Sequence, residues 1–252
     1  MQNKKDWIAV VAVILILAII GVLFLWYFPS LEKKQEEALL KEAYEKLYAE
    51  RIASYEAENP SLVDVDAVFL GDSLTEGYDL STHFPQLKTV NRGIGGDTTF
   101  GLENRLKVSL YDLNPRAVIL LIGANNLDTM FHNYQAVLEG IAEHLPNARV
   151  VILSLLPTAG AFADRNEQIA FNNVKIQALA KLYGFTYVDA FSALLDCGKD
   201  ELHADCTTDG AHLTPLGYQI LTELLTPLLS DLPKLPAESE TTPATETEST
   251  HE

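Results

Sequence analysis

The distribution of apolar and polar residues divides the chain into an apolar stretch, an amphipathic stretch, a long alternating region and a polar tail. Residues 7–28 (WIAVVAVILILAIIGVLFLWYF) carry no charged side chain over 22 positions. As a helix this stretch would be roughly 33 Å long, enough to cross a bilayer core of about 30 Å. We expect a transmembrane anchor at 7–28 after a short basic tail at 1–6. A cleaved signal peptide is the alternative, but the stretch is long for one and no A-x-A-like site follows it.

Lysines flank the apolar stretch on both sides, so counting them does not orient it. Lys4 and Lys5 precede it, and Lys33, Lys34 and Lys41 follow it. A short basic tail before a first span is typical of a signal anchor, and large C-terminal domains cross the membrane largely regardless of charge. We therefore expect a single-pass protein whose catalytic domain lies outside the cytoplasm.

Residues 29–59 are rich in Glu, Lys, Ala and Leu, and their apolar positions recur with helical spacing. One face would present Leu40, Tyr44, Leu47, Tyr48, Ile52 and Tyr55. This pattern predicts a helical stalk that ends at Asn59-Pro60, because the residue before proline disfavours helix. The apolar face could dock on the following domain or mediate self-association with a second copy.

The region at 60–235 alternates short apolar runs with amphipathic helical patterns. The strands predicted are 67–70, 89–91, 117–122, 149–155 and 185–188, and the helices are 100–111, 133–144, 164–183 and 214–229. Five βα units predict a parallel sheet covered by helices on both faces, because parallel strands need crossover connections. The expected fold class is therefore a three-layer α/β/α domain.

Composition excludes one class of partner and predicts a disordered end. Residues 236–252 contain five Glu, five Thr and no Lys or Arg, so we expect a disordered acidic tail. The whole chain has a formal net charge of -17. Nucleic acid binding needs a cationic surface, so we do not expect a nucleic acid partner.

Ser73 is the candidate nucleophile because it follows the first apolar run, in the sequence Gly71-Asp72-Ser73. That position places it at the carboxyl end of a buried strand, where open α/β sheets hold their sites. The alternative interpretation is that Asp72 and Ser73 only cap the next helix.

Asp209 and His212 are the candidate partners of that serine. A separation of three residues on a turn lets the carboxylate reach Nδ1 of the imidazole and leaves Nε2 for the serine hydroxyl. The alternative is an Asp that stabilises a turn beside a surface His. Asp200 and His203 have the same spacing but lead into no helix start, so they rank behind.

Two loops at strand ends could donate hydrogen bonds to a developing oxyanion. Gly96 lies in a glycine-rich loop after the second strand, where a backbone N–H can approach a ligand closely. Asn125 follows the third strand in Gly-Ala-Asn-Asn and can donate through its carboxamide. A nucleotide site is the alternative for the glycine-rich loop, but it lacks a Gly-Lys-Ser/Thr ending and the final glycine of GxGxxG.

Taken in order, these four stretches resemble the SGNH family of GDSL esterases and lipases. The matching blocks are Gly71-Asp72-Ser73-Leu74, Gly96 in GIGGDTT, Asn125 in GANN, and Asp209-Gly210-Ala211-His212. The resemblance implies a flavodoxin-like fold, a Ser73 nucleophile, a His212 base oriented by Asp209, and an oxyanion hole made by Ser73, Gly96 and Asn125. The wording NRGIGGDTT and GANN is similar to the platelet-activating-factor acetylhydrolase-like branch, which implies short acyl esters.

The chain departs from the family at Asn126, where many members have Asp, and we expect this change to tune the neighbourhood of Asn125. Cys197 and Cys206 could form a disulfide outside the cytosol, or remain free thiols in a reducing compartment. A metal site made by these cysteines with His203 is a weaker alternative.

The sequence therefore predicts a membrane-anchored serine esterase that removes acetyl groups from a cell-surface glycan or a small-molecule ester, without metal or cofactor. A lysophospholipase or thioesterase is the first alternative. A catalytically silent glycan-binding or scaffold protein of the same fold is the second.

Overall fold

The computed structural model describes residues 2–232, and the N-terminal part of these residues is helical. Helix α1 (Gln2–Val22) passes through a π-helical turn at Leu23–Tyr27 into α2 (Phe28–Glu58). A 3₁₀ turn at Asn59–Ser61 follows, with Pro60 in its first turn. The chain divides into two compact units between Ala57 and Glu58.

One helix of the described residues is long and apolar enough to cross a membrane. Its apolar side chains are exposed, including Ile14, Leu17 and Leu25. In the following amphipathic part, the rings of Tyr44 and Tyr48 contact each other with centroids 6.0 Å apart. The N-terminal unit thus presents apolar surface that a water-soluble helix would not leave uncovered.

The second unit is built on a parallel sheet of five strands, as predicted. The strands are β1 (Ala67–Gly71), β2 (Thr89–Gly93), β3 (Ala117–Leu121), β4 (Arg149–Leu153) and β5 (Thr186–Val188). Their spatial order is β2-β1-β3-β4-β5, and all neighbouring pairs are parallel. The order reverses between β1 and β3, which is where open α/β sheets form their binding crevices.

Helices cover both faces of this sheet and complete the predicted three layers. They are α3 (Ser73–Glu76), α4 (Leu80–His83), α5 (Thr99–Ser109), α6 (Phe131–His144), α7 (Asn166–Tyr183), α8 (Ala190–Leu194) and α9 (Pro215–Leu229). Alternate strand residues point to opposite faces: Val68 and Leu70 join the core under α5, α6 and α7, whereas Ala67 and Phe69 join the core under α8 and α9.

Several short elements were absent from the predicted pattern. They are α3, α4, α8 and a small antiparallel pair, β6 (Leu195–Asp196) with β7 (Glu201–Leu202). These segments are too short for helical or strand periodicity to stand out in the sequence. The acidic tail predicted at 236–252 lies outside the described residues, as does the end of the domain predicted at 235.

Candidate active site

Ser73, His212 and Asp209 form one hydrogen-bonded chain at the carboxyl edge of the sheet. Ser73 Oγ lies 3.0 Å from His212 Nε2. On the other side of the ring, His212 Nδ1 lies 2.7 Å from Asp209 Oδ2. With the ring proton on Nδ1, the imidazole donates to the carboxylate and Nε2 can accept from the serine hydroxyl.

The turn that carries Asp209 and His212 fixes their relative position. Asp209 Oδ1 accepts from the amide N–H groups of Ala211 and His212, at 2.9 and 2.8 Å. The hydrogen bond from the imidazole and the two hydrogen bonds from these amide N–H groups hold the pKa of Asp209 far below its usual range. Gly210 has a φ of +89°, and its carbonyl accepts from the amide of Ala159 at 2.8 Å. The turn is therefore tied to the loop after β4.

Ser73 occupies the first position of α3, directly after β1. The preceding residue, Asp72, caps that helix by accepting from the Leu74 amide at 3.1 Å. Asp72 is 1% exposed, and its Oδ2 has no hydrogen-bond partner among the described residues. Burial, with a smaller contribution from nearby Asp97, raises the pKa of Asp72 to about 7. Asp72 thus caps α3, whereas Ser73 contacts an imidazole, so the pair does more than begin a helix.

The three N–H donors predicted for an oxyanion hole lie on residues that follow neighbouring strand ends. The amide N–H groups of Ser73 and Gly96 make no hydrogen bond with another described residue, and Gly96 has a φ of +77°. Asn125 Nδ2 donates to the carbonyl of Asp97 at 2.9 Å. A carboxamide nitrogen carries two hydrogens, so the second one remains for a ligand.

A buried ion pair fixes the backbone beside these donors. Arg105 Nε lies 2.8 Å from Asp97 Oδ2, and both side chains are almost fully buried. The same guanidinium donates to the carbonyls of Gly71 and Arg92, at 2.9 and 2.8 Å. Arg105 therefore joins the ends of β1 and β2 to Asp97, whose carbonyl orients Asn125. Sequence reasoning missed Arg105, although a charged residue on the apolar face of α5, beside Leu102 and Leu106, was a usable signal.

Asn126, where many family members have Asp, makes two hydrogen bonds with Thr99. Its Nδ2 donates to Thr99 Oγ1 at 3.0 Å, and its Oδ1 accepts from the Thr99 amide at 3.3 Å. An amide side chain both donates and accepts, whereas an ionised Asp only accepts. Asn126 thus fastens the start of α5 to the loop that carries Asn125.

The hydrogen-bonded side chains open into a cleft of about 200 Å³. Its wall is mainly apolar and consists of Leu121, Leu155, Leu156, Pro157 and Ile169, with Phe162 and Arg165 also lining it. Apolar walls with a few convergent polar groups are typical of sites for small organic ligands.

The remaining histidine candidates do not join this cluster. His203 Nδ1 accepts from the Asp205 amide at 3.3 Å and so caps a 3₁₀ turn. His83 Nδ1 is 2.8 Å from the hydroxyl of Thr222, on α9. Neither imidazole has a hydrogen bond with Ser73.

Of the two states that the sequence left open for Cys197 and Cys206, the structure has the free thiols. Cys197 is an exposed thiol in the β6–β7 turn, whereas Cys206 is buried in the apolar core beneath α9, so the two cysteines are free. Across the part of the chain that the structure describes, no three His, Cys, Asp or Glu residues group as metal ligands. The structure therefore gives no support to the alternative metal site of these cysteines with His203.

Comparison with known proteins identifies the family. The model of the GDSL-like lipase/acylhydrolase family matches residues 69–220, and the chain belongs to this family. Human platelet-activating factor acetylhydrolase IB subunit alpha2 is 29% identical over 188 residues, covering 67% of this chain and 80% of that protein.

Solved structures agree with this assignment. A Streptococcus pneumonia protein named after platelet activating factor superposes with a TM-score of 0.72 at 30% identity, covering 78% of this chain and 99% of that one. A GDSL-like lipase from Bacteroides thetaiotaomicron shares the fold, with a TM-score of 0.64 at 24% identity over 71% of this chain and 97% of that one. The predicted SGNH/GDSL membership and fold are confirmed, and the protein is a hydrolase that acts on esters.

Proposed function

We propose that this protein is a membrane-anchored serine esterase that hydrolyses short acyl esters, chiefly acetyl esters. The observation that supports the proposal most strongly is the unbroken contact from Ser73 Oγ through His212 to Asp209, at 3.0 and 2.7 Å. Neither bond alone would activate a serine, but together they place a base on the hydroxyl and a carboxylate behind the base.

In the first half of the proposed reaction, Ser73 Oγ attacks the ester carbonyl carbon and its proton moves to His212 Nε2. The carbonyl oxygen becomes an oxyanion and accepts from the Ser73 amide, the Gly96 amide and Asn125 Nδ2. Each such donor is commonly worth about 2.7–4 kcal/mol of transition-state stabilisation. The intermediate then expels the alcohol, which takes the proton from His212, and the acyl group remains on Ser73.

In the second half, water attacks the acyl-serine and gives its proton to His212. Collapse of the second intermediate returns that proton to Ser73 Oγ and releases the carboxylic acid. Asp209 stays ionised throughout, because its lowered pKa keeps it a carboxylate that stabilises the imidazolium. No metal or cofactor takes part in these steps.

The size of the cleft supports a short acyl group. A volume of about 200 Å³ lies below the roughly 300–1,000 Å³ that drug-sized ligands occupy. The acetylhydrolase name of the human relative points in the same direction. An acetyl group fits against the apolar wall, whereas a palmitoyl chain would have to leave the cleft.

The helix at the N-terminus supports a location at a membrane, with the esterase domain outside the cytoplasm. A tethered enzyme acts on what lies within reach of its stalk, so an acetylated glycan of the cell surface is the polymer substrate we propose. The signal-anchor pattern of the basic tail supports this orientation.

The acyl preference can be tested with p-nitrophenyl esters from acetyl to palmitoyl, using the full chain in detergent. We expect kcat/KM to be highest for acetyl or propionyl and to fall steadily with chain length. A preference for C8 or longer would overturn the short-acyl proposal in favour of a lysophospholipase or long-chain thioesterase. The Ser73→Ala variant, run in parallel, reports the background that does not depend on the site.

A further inference from the structure

One cation lies in the wall of the active-site cleft without a carboxylate partner. Arg165 lines the cleft together with Ser73 and His212, and its side chain is exposed. It forms no salt bridge with any acidic side chain among the described residues. The chain contains 35 acidic and 18 basic residues, so carboxylates for pairing are abundant. An unpaired guanidinium in the cleft is therefore not explained by surface ion pairing.

The guanidinium is held in place by an aromatic ring. Arg165 Cζ lies 5.7 Å from the centroid of the Phe162 ring, within the range of a cation–π contact. Phe162 also lines the cleft. This contact uses no N–H donor, so the N–H groups of the guanidinium stay available to a ligand.

The backbone around Arg165 is also fixed. The buried side chain of Asn166 accepts from the Thr158 amide and donates to the Thr158 carbonyl, both at 2.8 Å. The same carboxamide donates to the Asp200 carbonyl at 2.9 Å. Hydrogen bonds between Thr158 and Asn166 thus join the residues on either side of the 3₁₀ turn at Gly160–Arg165, which fixes the position of Arg165 at the rim of the cleft.

Two acidic side chains at the reaction centre, Asp209 and Asp72, are not available to Arg165 as neutralising partners. Asp209 is bonded to His212 and to two amide N–H groups. Asp72 is buried beneath the nucleophile. The apolar residues deep in the cleft suit the acyl group, so Arg165, on the exposed rim, faces the alcohol portion of a bound ester.

We propose that Arg165 is a specificity-determining residue that binds a carboxylate or phosphate on the alcohol portion of the ester. The inference rests on the proposed esterase function and names the chemical class of its substrate: an acyl ester of an alcohol that carries an anionic group. Arginine presents paired N–H donors that match either anion bidentately. An acidic sugar would supply the carboxylate, and a lipid headgroup would supply the phosphate.

Three aryl acetates test the proposal: 4-acetoxybenzoate, 4-acetoxyphenyl phosphate and the neutral methyl 4-acetoxybenzoate. For each enzyme the ratio of kcat/KM on an anionic ester to kcat/KM on the neutral ester is measured with the full chain in detergent. Comparing these ratios between variants cancels the intrinsic reactivity of the leaving groups. The carboxylate and phosphate substrates separately report which anion the site prefers.

We expect Arg165→Gln to lower the ratio about tenfold, mainly through KM. A loss of this size lies between the contribution of an exposed ion pair and that of a desolvated one. Arg165→Lys should retain a part of the preference, and added salt should weaken it in the wild type. Lys199→Gln removes the same charge from an exposed turn outside the cleft and should leave the ratio unchanged. Equal losses on all three esters in Arg165→Gln, or the same fall in Lys199→Gln, would overturn the proposal.

A binding measurement separates this inference from the esterase proposal. In the Ser73→Ala background, calorimetry with 4-acetoxybenzoate and its methyl ester reports recognition without turnover. Tighter binding of the anionic ester that disappears on adding Arg165→Gln supports the assignment even if another residue performs the chemistry. Equal affinity for the two esters contradicts it, whatever the activity of Ser73.

Discussion

His212 has a hydrogen-bond partner on each ring nitrogen, whereas His203, with the same Asp spacing in sequence, caps a 3₁₀ turn. We predict that His212→Ala lowers kcat at least about a thousandfold, because the serine loses its base. His203→Ala should stay near wild-type activity. Steady-state hydrolysis of p-nitrophenyl acetate measures both variants, and comparable losses in the two would contradict the assignment of the base.

The buried carboxyl group of Asp72 should give the protein an unusual dependence of folding stability on pH. The pKa of Asp72 is about 7 in the folded chain, whereas an Asp in the unfolded chain has the ordinary value of 3.8. Between these pH values the folded state therefore binds more protons than the unfolded state. The free energy of unfolding should therefore fall as pH rises through this window. Asp72→Asn keeps the oxygen that caps α3 and removes the buried charge.

We expect Asp72→Asn to be more stable than the wild type above pH 7, by about 2 kcal/mol. The difference should shrink as pH falls toward 4, which thermal unfolding at several pH values measures. Asp79→Asn is the matched control, since Asp79 caps α4 but has its pKa lowered to about 2 by hydrogen bonds from Thr82 and Ser81. Its contribution has the opposite sign, because it is lost as pH falls. A pH-independent difference for Asp72→Asn would refute the account.

Residues that follow a strand or occupy a compact motif could be predicted from the sequence. Ser73, Gly96 and Asn125 each lie within four residues of the end of a strand, and the parallel sheet brings those ends together. Arg105 and Arg165 could not be assigned in the same way. The role of Arg105 depends on acceptors at the ends of β1 and β2 as well as on Asp97, and that of Arg165 on a loop that lines the cleft.

At the scale of elements, the loop that carries Asp209 and His212 depends on Gly210. A side chain at Gly210 would collide with the carbonyl oxygen of Ala159, and the φ of +89° is unfavourable for other residues. We predict that Gly210→Ala lowers kcat/KM more than tenfold, because the turn must shift away from the loop after β4 and displace His212.

Gly184→Ala is the control for backbone strain alone. Gly184 ends α7 with a φ of +71°, and a Cβ there meets nothing within 4 Å. This variant should lose about 1 kcal/mol of stability and keep its activity. If both variants lose only stability, the contact between Gly210 and Ala159 does not position the base.

The sheet and the long helices could be predicted because their periodicity is strong. Each predicted strand is found within about two residues of its observed ends, and α6, α7 and α9 begin or end close to the predicted positions. The state of the two cysteines could not be predicted, for a physical reason. Spacing along the chain cannot tell that Cys206 turns into the core beneath α9 while Cys197 stays at the surface.

At the scale of the whole molecule, the chain contains an exposed apolar helix and a hydrolase domain that has its own hydrophobic core. The apolar stretch and the domain were both evident from composition and periodicity. The orientation in the membrane was not, because lysines flank the helix on both sides. The proposed extracytoplasmic location therefore depends on the signal-anchor pattern and needs its own test, such as protease access to the C-terminal tail in intact cells.

The central claim is that Ser73 is the activated nucleophile. Membranes that contain the full-length protein can be treated with a fluorophosphonate probe, which reacts with activated serines, and the labelled peptide can be identified by mass spectrometry. The account predicts one adduct, on Ser73 in the membrane pellet, which is absent in Ser73→Ala and strongly reduced in His212→Ala. An adduct that persists in Ser73→Ala would contradict it.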